Sequence, residues 1–377
     1  MWIPHNSWDE GRHQRDQYFL DVLKNHHRVA ALSWCDYLPH SIGNLLNPLT
    51  YLRALNPSKS RISGFTVYNI PRLPNLPGVL GRFSKSLNQI FFNISLKRII
   101  KAESSEIVVS ASQGQNIGIP GSNLGIPIVF DYVDWCERAA DQEEVSLKSA
   151  QAVLCVSSAL QQRAQKWNSR CHRLPNGVDI DRIQSGSGSD VRSRYHLEDS
   201  VVISLIGLTF SENMYFVESI RLAQKSVPNL KCLLVGKSDR LRKEIPACDD
   251  TFIHVGPVEY AQIKNYFAAT DIGLYPGDNS EFFQSASPIK IFEYTAAEKK
   301  VVSSNLREFN PQDWPNIHFT EPNARSFAES IVKAAKEEEK HTINRRFIAS
   351  HDWNVLGKQL EHILEDTLFN WRATRDL

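Results

Sequence analysis

Lys290 and Glu293 stand three residues apart in SPIKIFEYTAAEKKVV, residues 287–302, behind a polar loop that follows the apolar run Ile272–Tyr275. The spacing predicts a helix over 288–297. Proline suits a first helical turn because its missing N–H would go unpaired there anyway, and Ser285 or Ser287 is a candidate cap. The open N–H groups of such a helix start, at the positive end of the dipole, form an anion site built on Ser287, Pro288 and Ile289. Lys290 in the first turn opposes that dipole, and a bound diphosphate would offset the repulsion. Glu293, about one turn further on, can accept hydrogen bonds from the vicinal hydroxyls of a ribose. These are the parts of a nucleoside diphosphate site. The same spacing also fits a surface ion pair worth about 0.2–0.5 kcal/mol, and spacing alone leaves both open.

Other reactive residues point to less. Asp131 and Asp134 have a D-Y-V-D spacing that could hold a cation, but loop carboxylate pairs more often do not, and no metal is expected. The six cysteines, Cys35, Cys136, Cys155, Cys171, Cys232 and Cys248, include no C-x-x-C pair. Cys171 beside His172 lacks further ligands at metal spacing, so reduced thiols are expected. The glycine cluster at 114–125, GQNIGIPGSNLG, is not a G-x-G-x-x-G turn, which argues against a nicotinamide dehydrogenase.

Short apolar strands and amphipathic helices alternate along most of the chain. A helix over 14–25 leads to a strand at 28–33. Strands follow at 106–110, 126–130, 152–156 and 171–174, with helices ending near 150 and starting at 158. The segment 183–190, IQSGSGSD, reads as a linker or exposed loop. Beyond it the alternation restarts, with strands at 201–206, 230–235, 252–255, 272–275 and 300–303 and helices at 214–226 and 260–269. A final amphipathic helix at 355–371 repeats Leu356, Leu360, Ile363, Leu364 and Leu368 at helical spacing. Two runs of strand–helix–strand imply an α/β protein with two Rossmann-like domains facing each other across a cleft. The expected boundaries are 1–183, 184–350, and 351–377 as a helix returning to the N-terminal domain.

The 287–302 segment resembles the donor-binding signature of the retaining glycosyltransferases of family four, in its PxKxxEY form. Other stretches resemble the same family in the same order: RDQYFLDVLKNHHRV (15–29), IVFDYVDW (128–135), VLCVSSALQQRA (153–164), RLPNGVD (173–179), LIGLTF…VPNLKCLLVG (205–236), and 253–276. The resemblance covers most of the chain but not 37–101. It implies a GT-B fold and a metal-independent hexosyl transfer, with retention, from a UDP- or GDP-type sugar to an acceptor hydroxyl. No cofactor beyond that donor is implied. Lys290 and the helix start at Ser287, Pro288 and Ile289 would neutralise the diphosphate, and Glu293 would hold the ribose. Gly256, Pro257 and Val258 would line the base, and Gly207 would admit the diphosphate. Asp131 and Asp134 would stand where acceptor and sugar meet, with Arg15 on the acceptor side. Three positions depart from the pattern. Ser285 replaces a glutamate that touches the donor sugar, no Arg or Lys follows the strand ending at Ile206, and Glu298-Lys299-Lys300 replaces Gly-Lys-Pro.

Net charge is +1, yet residues 37–102 hold nine Lys and Arg and no acid. This basic run, including Arg82, Lys85, Lys97 and Arg98, reads either as a solvated face or as a platform for an anionic membrane; no nucleic-acid module accompanies it. The acceptor is then a glycan or a lipid-linked glycan, as in cell-surface glycan or glycolipid synthesis. No apolar run is long enough to span a bilayer and the N-terminus lacks a signal-peptide core. Cytoplasmic residence follows as the expectation, with peripheral attachment to the inner membrane face as an option. A catalytically degenerate binding relative and a sugar-nucleotide epimerase are the competing classes.

Overall fold

The computed structural model describes residues 1–4, 14–37, 56–62, 64–72, 78–111, 124–135, 140–207, 215–237, 239–246, 249–337 and 343–375. The chain divides into two compact units, residues 1–174 with 357–377, and residues 175–356. Each is built on a largely parallel sheet, as the alternating sequence pattern predicts.

In the first unit the order is β1 (Trp2–Ile3), α1 (Arg15–Leu23), β2 (Ala30–Tyr37), β3 (Ser58–Ile62), β4 (Phe65–Arg72) and α2 (Gly78–Ala102). Then follow β5 (Val108–Ser110), β6 (Ile128–Tyr132), α3 (Ala140–Ser149), β7 (Ala152–Cys155), α4 (Ser158–Ala164) and β8 (Cys171–Arg173). The eight strands lie in the order β3-β4-β2-β1-β5-β6-β7-β8. All pairs are parallel except the β3–β4 hairpin. That hairpin falls in the stretch the family resemblance leaves out. The β5, β6 and β7 strands are buried along their whole length, as parallel strands covered on both faces must be. The glycine cluster at 114–123 lies outside the described residues, as do Cys136 and Cys248 and the side chain of Cys35.

In the second unit come α5 (Ile180–Gln184), α6 (Ser189–Arg194), β9 (Val201–Ile206), α7 (Tyr215–Gln224), β10 (Leu230–Val235), α8 (Asp239–Glu244) and β11 (Phe252–Gly256). They are followed by α9 (Tyr260–Ala269), β12 (Ile272–Tyr275), α10 (Glu281–Gln284), α11 (Ile289–Ala296), β13 (Lys300–Ser304), β14 (Ile317–Thr320), α12 (Ala324–Lys336) and α13 (Arg345–Ala349). The sheet order is β11-β10-β9-β12-β13-β14, every pair parallel. The order reverses between β9 and β12, the point at which doubly wound sheets receive ligands beyond the strands' carboxyl ends.

Two expectations change. Of the two readings of 183–190 the exposed loop holds and the linker does not: Gln184, Ser185, Ser187, Ser189 and Asp190 are exposed, and the segment runs from the end of α5 to the start of α6 within the second unit. Ile183 and Val191 are both buried in the second core, and Ser187 N–H donates to Asn265 at 3.0 Å. The division between units falls at Leu174–Pro175 rather than at 183. The PNGVD segment packs into the second unit, where Val178 exchanges backbone bonds with His351 and Trp353. The last helix, α14 (Trp353–Ala373), returns to the first unit from Gly357 onward. Its Leu356, Leu360 and Ile363 are buried, and Glu361 receives His26 and His27 at 3.0 and 2.7 Å.

Candidate functional site

The second unit assembles its candidate residues at the carboxyl ends of β9, β10 and β11. Each of these strands runs into a glycine with positive φ: Gly207 (+118°), Gly236 (+124°) and Gly256 (+81°). Their backbones are stitched sideways, Gly207 N–H to Val235 O at 2.9 Å and Gly236 N–H to Gly256 O at 2.8 Å. A methyl on Gly236 would run into the Gly207 carbonyl, and one on Gly207 would meet Lys290 Cε at 2.8 Å. Left-handed backbone and close approach both require glycine here. Gly207 and Gly256 stand out in the sequence as candidates. Gly236 does not, because its role depends on contact with a strand neighbour.

Lys290 reaches this rim from α11. Its Nζ bonds Glu293 Oε2 at 2.7 Å, and Arg182 Nη2 bonds Glu293 Oε1 at 3.0 Å. The Glu293 side chain is 5% exposed, so the arrangement is a nearly buried carboxylate held between two cations. The simple surface ion pair does not describe it. Arg182 also lies over the Tyr260 ring at 4.2 Å. It follows PNGVD by three residues, on a short helix whose cap is Asp179, accepting from Arg182 N–H at 3.0 Å. Nothing in the local sequence pattern pairs Arg182 with Glu293, 111 residues away.

The start of α11 differs from expectation. Pro288 is the cap residue itself, not the first helical residue, and no side chain caps the helix. Ser285 instead donates to Glu281 O at 2.7 Å and Phe282 O at 3.2 Å, ending α10. Ser287 is engaged by Asn176, whose amide donates to Ser287 O at 2.6 Å. The cap comes from the residue just before the first helical one, and Pro288, which holds that place, has no side-chain acceptor. Ile289 is half-buried in the first turn. Pro257 is exposed and Val258 half-buried in the segment after β11.

Tyr294, adjacent to Glu293, sets the height of α11 against the sheet. Its hydroxyl donates to Ser204 O at 2.9 Å and accepts from Ile206 N–H at 3.2 Å, and its ring fills the space left by Gly273. Burial pushes this phenol far above its ordinary value. The loop after β12 is fixed by Tyr215, which donates to Gly277 O at 2.8 Å, and by Ser304, which accepts from Gly277 N–H at 2.8 Å. Burial raises the Tyr215 phenol to about 12. The residues that should follow Gly207, 208–214, lie outside the described residues.

In the first unit Asp131 is fully buried, and Arg15 claims its carboxylate, Nε to Oδ2 at 2.9 Å and Nη2 to Oδ1 at 2.9 Å. Asp131 is therefore an ion-pair partner and not a presented base, and Arg15 is buried with it rather than standing free on an acceptor surface. The charge complementarity explains the change: a buried carboxylate needs a cation at once. Asp134 is half-buried in the segment after β6. Arg173 lies near this pair, and burial lowers its guanidinium to about 10, with Arg15 adding repulsion. On α2, Lys97 and Arg98 are exposed, beside Ile90 (51% exposed) and Ile94 (38%). The side chains of Arg82 and Lys85 lie outside the described residues.

Residues 202–337 match the family model of group 1 glycosyl transferases. The match takes in Gly207, Gly236, Gly256, Lys290 and Glu293. TuaH of Bacillus subtilis (strain 168), named for teichuronic acid biosynthesis as a glycosyltransferase, is 24% identical over 227 residues. That stretch is 57% of this chain and 56% of the relative, so the chain spans about half the length of the curated relative it matches. Among solved structures, HepE of Anabaena in complex with UDP aligns with a TM-score of 0.66 and 16% identity, over 97% of this chain and 99% of that one. Sucrose-phosphate synthase of Thermosynechococcus elongatus aligns with a TM-score of 0.71 and 14% identity, over 98% of both. The chain shares the GT-B fold of these proteins.

Proposed function

We propose that the protein is a glycosyltransferase that moves a sugar from a nucleoside-diphosphate donor to an acceptor hydroxyl, with the donor held by the second unit. The observation that carries this is the Lys290–Glu293–Arg182 cluster set against Gly207 at the switch point of the sheet. In the donor complex, Glu293 exchanges at least one of its cation partners for the ribose hydroxyls, and Lys290 turns to the diphosphate past Gly207. Lys290 and the N–H groups at the start of α11 stabilise the charge that develops on the departing diphosphate. Preorganised donors of this kind supply much of the rate enhancement in many transfer reactions. The nucleotide is UDP, in keeping with the UDP complex of HepE. Hexosyl transfer with retention, independence of metal, and a glycan or lipid-linked acceptor complete the reading. Attachment to an anionic membrane surface from the cytoplasmic side is supported by Ile90 and Ile94 exposed beside Lys97 and Arg98.

Calorimetry with UDP, GDP and their sugars tests the donor site. UDP is expected to bind, and Glu293→Ala to weaken it. Lys290→Ala is expected to lower turnover on the order of a hundredfold while the melting midpoint stays near wild type. Absence of binding by any nucleotide would overturn the assignment. One observation favours a second reading, a nucleotide-binding relative without transfer: the Ser285 hydroxyl is spent on backbone carbonyls where the family's sugar-contacting glutamate stands. UDP binding without turnover of any UDP-sugar, by transfer or hydrolysis, would select it.

A further inference from the structure

The amino-terminal edge of the first unit's sheet holds a feature that the transfer reaction does not use. The turn after α1 and the β3–β4 hairpin border an open-sided cavity of about 520 Å³, within the range of small-molecule sites. Five of the described lining residues are basic or titratable as bases, Lys24, His27, Arg28, Lys59 and Arg61, and none of the described ones is acidic. Ser60 and Thr66 add hydroxyls. Asp131 lies in the carboxyl half of β6, whereas β2 and β4 both begin at this cavity, so the two places are at opposite ends of the parallel strands.

The cations are held in position from behind. Glu103, buried at the end of α2, accepts from Arg28 at 2.7 Å, from Lys59 at 3.2 Å and from Tyr68. Burial would raise this carboxyl, but the bonds from Tyr68 and Lys59, with the charges of Lys59 and Arg28, bring it below its ordinary value. Lys24 is steadied by Asp21 at 2.6 Å, and His27 by Glu361 at 2.7 Å. Four Lys and Arg charges against these three carboxylates leave a net +1, with the carboxylates outside the lining and the cations inside it. Cations on an edge strand also discourage strand pairing between molecules, which would account for Lys59 and Arg61. It does not account for Lys24 and Arg28, which come from another element and line the same cavity. Convergent Lys and Arg side chains with hydroxyl donors suit a compact, doubly charged oxyanion better than a single carboxylate.

We propose that this cavity is a second anion site, which binds a phosphate-bearing ligand through Lys24, Arg28, Lys59 and Arg61. The site is independent of the donor site in the second unit. Its ligand is either a soluble phosphorylated compound or the phosphate headgroup of a lipid, the same chemistry from two sources.

The test titrates inorganic phosphate into the full chain by calorimetry, with ionic strength held constant by chloride. Three proteins are compared: wild type, Lys24→Gln/Arg61→Gln, and Lys290→Ala. The double variant leaves all three Glu103 bonds in place, and Arg61→Gln alone, on an exposed edge strand, serves if the pair fails to fold. Saturable binding is expected in wild type and in Lys290→Ala, with roughly tenfold or greater weakening in the double variant. Flotation with phosphatidylcholine vesicles, with and without phosphatidic acid, separates the sources. Flotation that needs phosphatidic acid and the Lys24–Arg61 pair assigns a headgroup, and phosphate binding without flotation assigns a soluble ligand. Phosphate binding that persists in the double variant and vanishes in Lys290→Ala would overturn the proposal, as would no binding beyond that of chloride.

Discussion

Replacing Tyr294 by phenylalanine removes one oxygen and leaves the packing of α11 intact. The ring keeps its place against Gly273 and its edge contact with Phe267 at a centroid distance of 4.9 Å. What is lost is the bond to Ser204 O at 2.9 Å and the acceptor for Ile206 N–H at 3.2 Å. A third contact, to Ser204 Oγ at 3.1 Å, is partly covered because that hydroxyl keeps Thr270 at 2.7 Å. With about 1 kcal/mol per neutral bond and somewhat more for a buried N–H left unpaired, the cost is about 2–3 kcal/mol. For a unit of this size each kcal/mol moves the midpoint by roughly 2–4 °C, so a fall of about 5–10 °C is expected by differential scanning calorimetry. Because the phenol holds α11 level with the end of β9, Lys290 also loses its fixed height beside Gly207, and kcat should fall more than the KM for the donor rises. A midpoint equal to wild type would refute the idea that the hydroxyl locks helix to strand. A lowered midpoint with unchanged kcat would refute its role in placing Lys290.

Gly236→Ala places a methyl against the Gly207 carbonyl at a φ of +124°. It is expected to cost at least about 1–2 kcal/mol from the left-handed backbone alone and to weaken UDP in calorimetry, whereas Gly64→Ala, with open space around it, should leave UDP binding unchanged. Glu298 ends α11 at φ +58° in the place where the family pattern has glycine. Glu298→Gly should relieve about 1–2 kcal/mol of strain, offset by about 0.5–1 kcal/mol of chain entropy, and raise the melting midpoint slightly; a clear fall would contradict this. Glu103 has a folded-state pKa below its ordinary 4.5, so its contribution is full above that value and disappears as pH falls through the folded one. Glu103→Gln should therefore be less stable than wild type at neutral pH, with the gap closing below pH 4.5; a gap that stays constant into acid would rule out the charge as its source.

Local pattern alone specified much of the second unit. The strands 201–206, 230–235 and 272–275 and the helix 260–269 have the bounds that their apolar runs predict, because a strand buried on both faces must be apolar throughout. The first unit was less legible. The hairpin of β3 and β4 has no alternating apolar face to announce it, since β3 is polar and at an edge. The final helix was readable from its spacing and was expected to return to the first domain; the partners it meets there, His26, His27 and Val22, were not.

The sequence by itself offered the candidates for a nucleoside diphosphate site, Lys290 and Glu293 at helical spacing and Gly207 and Gly256 at strand ends, and, apart from them, an acid-free basic stretch. Only the tertiary structure decided how their charges are balanced. It paired Asp131 with Arg15, 116 residues away, and Glu293 with Arg182, 111 residues away. It also gave Ser285 to the turn of α10 and brought Gly236 against Gly207. The physical reason is the same for the three pairs that lie far apart in sequence. Periodicity and capping act within a few residues of one another, whereas a buried group takes whichever partner folding brings to it.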